Sequence, residues 1–302
     1  MASGHPKTAL VFSGGGSLGA VQVGMLLALS RADVAVDMVV GASVGALNGA
    51  FYADDPSPAG AERLARLWRG LTRRDIFPLT LWAGMKALLS GSDHLVRPEG
   101  LHRIIGAALR MRRVEEARLQ LHIMTTDVLS GAEYLISSGD VGTALLASTA
   151  IPVVFPQVTV GSHRLMDGGV SSNTPIASAI GLGAERIIVL PTGSSCALRE
   201  PPRNMAALAL HVMTLMNMRQ LDRDVGHYAQ QARIVVVPPL CPLGVSVFDF
   251  SQTAALMDKS ARQTEAWLAG GGLEHAGPLH VPLAHHHHGT GQRPHGADGI
   301  NR

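Results

Sequence analysis

The sequence is short of cysteine, of aromatic residues and of charge. Cys196 and Cys241 are the only cysteines in 302 residues. That is too few for a disulfide framework, and they read as two separate thiols. Aromatic residues make up 4% and charged residues 16%, with a net charge of +2 at pH 7. No basic run and no interleaving of aromatic with basic residues occurs, so nucleic acid is not expected as a partner. The first seven residues, MASGHPK, lack a charged region followed by an apolar core, and no secretory signal is read there. Long unbroken apolar runs are scarce too. Residues 8–30 carry no charge, but Gly14, Gly15, Gly16, Gly19 and Gly24 interrupt them. Backbone groups freed at such breaks would stay unpaired in hydrocarbon. The segment therefore reads as a buried strand, a tight loop and a buried helix, and no transmembrane helix is expected.

What the chain has instead is glycine, 34 residues of it, in a composition that is 46% apolar. That apolar fraction excludes a disordered chain, and the glycines have no three-residue period, which excludes collagen. Thr8–Phe12 and residues 38–40 are short apolar runs that each end at glycine, and helix-like segments follow at 20–30 and 44–53. Strand, loop and helix repeated twice is the βα alternation of a parallel sheet covered by helices.

Further along, residues 59–70 read as an amphipathic helix with Leu64, Leu67, Trp68 and Leu71 on one face. Strands are expected at 121–125 and Glu133–Ile136, joined through 127–131, and a helix at 140–148. Two short strands around a Gly-Ser turn lead into Asp167-Gly168-Gly169, followed by a helix at 173–181 and a strand at Arg186–Leu190. A Met-rich helical segment fills 203–232, with a strand at 234–237 and a last helix at 252–268. The tail from Gly270 is rich in Gly, Pro and His and is expected to be disordered. Its His285–His288 run is not read as a physiological metal site, and no metal or other cofactor is expected.

Three motifs carry chemistry. Gly41-Ala42-Ser43-Val44-Gly45 is G-x-S-x-G between an apolar run and a helix, the context of a nucleophile elbow. The flanking glycines let neighbouring backbone approach, and the helix starting at Val44 aims its positive end at the serine. Gly14–Gly19 (GGGSLG) also matches G-x-G-x-x-G between strand and helix. A dinucleotide site needs an acidic residue at the end of the second strand, and Asp37 precedes that strand. Consecutive glycine N–H groups at a helix start make an anion nest, which beside a serine nucleophile is an oxyanion hole. Asp167-Gly168-Gly169, alone, is an ordinary turn.

Taken in order, GGGSLGAVQVGML, GASVGALNGA, ASTAIPVVFP and LMDGGVSSNTP resemble the four blocks of the patatin-like phospholipase family, over about residues 7–191. The resemblance implies a three-layer α/β/α fold with a mainly parallel central sheet, related to the α/β-hydrolase architecture. It implies a serine acyl hydrolase acting on acyl-ester lipids through a Ser43–Asp167 dyad, with the Gly14, Gly15 and Gly16 amides as oxyanion hole. Gly19, Gly41, Gly45, Gly168 and Gly169 would support those motifs. Residues 7–191 then form the hydrolase core, 192–269 a helical extension with one strand completing the same domain, and 270–302 the tail. Cytoplasmic location with peripheral membrane contact is the matching expectation.

Two positions depart from the family's pattern. Leu18 stands where a basic residue is usual, and Pro152-Val153 where Pro-Gly is usual. Two alternatives stay open on the residues. One is an α/β-hydrolase triad using His211 or His227, the other a non-catalytic lipid-binding protein. Because aspartate is a poor base at its ordinary pKa of about 3.9, a dyad needs a desolvated carboxylate or very good geometry. The apolar segment 76–89, with Phe77, Trp82 and Leu88, reads first as a packed helical insertion and alternatively as a lid or interfacial contact guarding the dyad.

Overall fold

The computed structural model describes residues 5–77, 94–193, 205–241 and 243–274. Among the described residues eight strands form one sheet: β1 Thr8–Phe12, β2 Met38–Ala42, β3 Gln120–Asp127, β4 Glu133–Ile136, β5 Val158–Val160, β6 His163–Asp167, β7 Arg186–Leu190 and β8 Arg233–Val236. Their order is β5-β6-β3-β2-β1-β7-β8, with β4 paired to β3. β3, β2, β1, β7 and β8 run parallel, and β4, β5 and β6 make antiparallel pairs.

The helices are α1 Gly19–Arg31, α2 Val44–Asp54, α3 Pro58–Gly70, α4 Arg73–Ile76, α5 Glu99–Ala108, α6 Val141–Ser148, α7 Ile176–Gly181, α8 Met205–Tyr228 and α9 Thr253–Ala269. Alternate strand residues sort them into layers, because successive side chains point to opposite faces. Leu10, Phe12, Val39 and Ile188 join one core with residues of α1, α2, α3, α5, α6 and α9. Ala9, Val11, Val40 and Val189 join another with Ile176 and Ala179 of α7 and Val225 of α8. The sheet is thus covered on both faces, which is why β1 and β2 are wholly buried and read as unbroken apolar runs.

The charge-free run at 8–30 is β1, the glycine loop and a helix with twelve buried residues. Among the described residues no helix is long and apolar enough to cross a membrane. The expected helix at 173–181 starts only at Ile176, since Pro175 precedes it and Asn173 is drawn into the glycine loop. Helices α4 and α5 were not expected from the sequence. Of the segment 76–89 only Ile76 and Phe77 are described; Trp82 and Leu88, like Cys196 and His285–His288, lie outside the described residues.

Candidate active site

The pairing of β3 decides what meets what. One edge of β3 carries β4, from Ile123↔Ile136 to Thr126↔Glu133. The other edge carries β2 as far as Ala42↔Met124. Where β2 stops, β6 takes over that edge from the opposite direction, beginning at Thr125↔Asp167. The ends of β2 and β6 therefore confront each other across one step of register. Ser43, the residue after Ala42, is delivered to Asp167, and its Oγ donates to Asp167 Oδ2 at 2.7 Å.

Ser43 occupies φ 54°, ψ −128°, between the end of β2 and the start of α2. A side chain in positive φ costs about 1–2 kcal/mol, and this one is held from several directions. Its carbonyl accepts from the Ala46 and Leu47 amides at 3.0 and 3.2 Å. Its own N–H donates to Ser148 Oγ at 2.9 Å, and Ser148 donates to the Met124 carbonyl at 2.7 Å. A Cβ on Gly45 would collide with the Phe12 and Ser13 carbonyls, which explains the second glycine of the motif.

Asp167 is 6% exposed. Its Oδ1 accepts the Gly169 N–H at 2.7 Å, so both carboxylate oxygens are engaged. The backbone is pinned as well: Asp167 N–H donates to the Ala150 carbonyl at 3.0 Å, and its carbonyl accepts from Thr126 Oγ1 at 2.8 Å. Burial pushes the carboxyl up from 3.8 to about 6, against the two hydrogen bonds that favour its ionised form. The sequence required a desolvated carboxylate or very good geometry, and both are present.

The glycine loop follows β1. The Ser13 amide donates to the Leu190 carbonyl, Gly14 to Asn173 and Ser17 to Val247, at 3.2, 3.0 and 2.8 Å. With Gly14 committed to Asn173, the amides of Gly15 and Gly16 are the ones that take no partner among the described residues. Gly16 has φ 57°, and a Cβ there would meet the Val247 carbonyl. Leu18 is buried, and a chain of buried polar groups holds the loop. Gln22 Nε2 donates to the Ser13 and Leu190 carbonyls at 2.8 and 2.7 Å. Its Oε1 accepts from Asn48, whose own oxygen accepts from Trp68 Nε1. Thr192 Oγ1 donates to the Gly14 carbonyl at 2.8 Å. Gly19 packs where a Cβ would strike Val44 and Trp68; Gly41 faces Gly45, and Gly168 faces the Met124 carbonyl.

A cavity of about 170 Å³ opens over Ser43, Asp167 and Gly14–Gly16. No histidine is among its described lining residues. His211 and His227 ride on α8, where His227 packs edge-on against Tyr228 at 4.6 Å. Sequence reasoning missed Ser148, Gln22, Asn48, Asn173 and Thr192. Gln22, Asn48, Ser148 and Asn173 lay within the four quoted blocks but carry no signal of their own there, and Thr192 lies outside them.

The family model described as Patatin-like phospholipase matches residues 10–180. Patatin-like phospholipase domain-containing protein 7 of Mus musculus is 31% identical over 189 residues, 62% of this chain and 14% of that protein. Patatin-like phospholipase domain-containing protein 6 of Homo sapiens is 31% identical over 189 residues, covering 62% and 13%. Lysophospholipase nte1 of Aspergillus terreus is 29% identical over 193 residues, covering 61% and 12%. This chain thus spans about one seventh of the length of these relatives.

Proposed function

We propose, starting from the fact that this chain belongs to the patatin-like phospholipase family, that it is a serine acyl hydrolase cleaving fatty acyl esters of lipids. The observation that carries this is the direct Ser43–Asp167 hydrogen bond at 2.7 Å, buried beside two glycine amides.

Asp167 accepts the Ser43 proton as Oγ attacks the ester carbonyl. The oxyanion is held by the Gly15 and Gly16 N–H groups, each worth about 3–4 kcal/mol by analogy with comparable sites. Asp167 passes that proton to the leaving alkoxide as the ester C–O bond breaks, and the alcohol departs to leave an acyl-enzyme on Ser43. Water activated by Asp167 then releases the fatty acid. No step calls on a metal or cofactor. The hydrolase unit extends through 192–269, because β8 widens the sheet and α9 packs on α1.

A lipid surface is the natural source of substrate, and α8 supports contact with it. Leu208, Val212, Leu215 and Met216 are exposed at helical spacing, while Met213, Asn217 and Leu221 of the same helix line the cavity. The test of the function is a panel of p-nitrophenyl esters, phospholipids and lysophospholipids. Ser43→Ala and Asp167→Ala should each abolish hydrolysis, and the double variant His211→Gln/His227→Gln should retain it. Activity in either dyad variant refutes the dyad, and loss in the histidine variant restores the triad. Failure of Ser43 to react with a fluorophosphonate would favour a non-catalytic lipid binder.

A further inference from the structure

Ser43 borders two cavities. The larger, about 170 Å³, has Asn173, Thr174, Thr192 and Asn217 in its walls. The smaller, about 70 Å³, lies beneath α2, α3 and α5. They share Gly16, Ser43, Phe77 and Ile151, so the nucleophile and one oxyanion glycine sit at the junction.

The smaller cavity is walled by Leu47, Phe51, Trp68, Leu101, Phe155 and Phe250. Apart from Ser43 at the junction, its two polar lining residues turn their polar atoms elsewhere. Asn48 is bonded to Gly19, Gln22 and Trp68, and Thr149 Oγ1 donates to the Leu145 carbonyl at 2.7 Å. The floor is a packed aromatic group in which Phe77 stacks on Phe155 at 5.5 Å and Trp68 on Phe250 at 6.2 Å. Ile104, Leu67 and Leu71 are half-buried at its rim. Such a space offers a ligand no hydrogen bond and rewards only burial of hydrocarbon.

We infer that the smaller cavity is the acyl-chain subsite and that the larger takes the alcohol side of the ester. This rests on the hydrolase reading above and adds the direction in which the substrate lies. With the carbonyl carbon at Ser43 and its oxygen toward Gly16, the chain runs under α2 between Leu47 and Phe155. The leaving alcohol and its polar substituents meet Asn173 and Asn217. At about 15 Å³ for one water-sized occupant, the cavity takes about five methylene-sized groups, and the remainder of a longer chain passes the rim at Ile104.

Filling the rim tests it. In Ile104→Trp, the ratio of kcat/KM for p-nitrophenyl laurate to that for p-nitrophenyl acetate should fall about 15-fold, the worth of two buried methylenes at about fourfold each. Leu71→Trp, on another part of the rim, should act the same way. Asn217→Leu, in the larger cavity, should leave the chain-length ratio alone and change the preference among head groups. An unchanged ratio in both rim variants, or a shifted ratio in Asn217→Leu, overturns the assignment. A binding arm separates this from the hydrolase reading. Parinaric acid fluorescence with Ser43→Ala protein should report binding that weakens by a similar factor when Ile104→Trp is added. Absent turnover in the unmodified protein refutes hydrolysis, whereas undiminished parinaric acid binding refutes the subsite.

Discussion

Replacing Asp167 by Asn should remove activity and stabilise the protein above neutral pH. The side chain is 6% exposed, and burial pushes its carboxyl from 3.8 to about 6. An acid whose folded value is raised gives up its proton more readily in the unfolded chain, so stability falls as pH rises from about 4 through about 6. Below that window both states are protonated and the group contributes nothing. Above it the full cost is present, about two pH units at 1.36 kcal/mol each, or about 3 kcal/mol. Asn is nearly the same shape and carries no charge. Its oxygen can accept from Gly169, as Oδ1 does now, and its NH2 can donate to Ser43 Oγ. Thermal unfolding of both proteins between pH 4 and pH 8.5 measures the difference. The melting curves should coincide near pH 4 and separate through pH 6. At pH 8 Asn should lead by about 6–12 °C, at about 2–4 °C per kcal/mol for a chain of this size. A gap that stays constant with pH, or Asn melting lower at pH 8, would refute the claim that the base is held at a cost to stability.

Three other outcomes follow from the site's supports. Ser148→Ala strips partners from the Ser43 amide and the Met124 carbonyl, so it should cost about 2 kcal/mol in denaturant melts and lower kcat more than it changes KM. Gln22→Leu leaves the Ser13 carbonyl of the glycine loop without its donor, removes one of the two donors to the Leu190 carbonyl at the end of β7 and takes an acceptor from Asn48; it should cost about 3 kcal/mol, with ester hydrolysis falling in parallel. Val153 holds φ 71° and is 66% exposed, at the position where the family's usual residue is glycine. Val153→Gly should raise the melting temperature by about 3 °C, the relief of left-handed strain exceeding the added chain entropy by about 1 kcal/mol.

Local chemistry made parts of this site legible. Ser43 announces itself because an elbow needs glycine at 41 and 45 within one turn of chain, and the glycine loop because a nest needs consecutive small residues. β1, β2 and β7 were readable because both faces are buried and the apolar runs stop at a glycine cluster or, for β7, at Pro191. Asp167 needed the family resemblance, since its meeting with Ser43 depends on β6 taking the edge of β3 that β2 vacates. Ser148, Gln22 and Thr192 were invisible for the same reason, each serving backbone from a remote segment. The start of α7 shifted to Ile176 because the Asn173 carbonyl is spent on Gly14. The absence of a cation at Leu18 reads differently once Gln22, Asn48 and Trp68 are seen holding that loop by hydrogen bonds.

The central claim is that Asp167 activates Ser43 without a histidine. Its most direct test is the rate of fluorophosphonate labelling as a function of pH, with the adduct located by mass spectrometry. A single adduct on Ser43 is expected, forming faster as pH rises through about 6 and level above it, with labelling nearly abolished in Asp167→Asn. An adduct elsewhere, or Ser43 labelling that persists at full rate in Asp167→Asn, would contradict the claim.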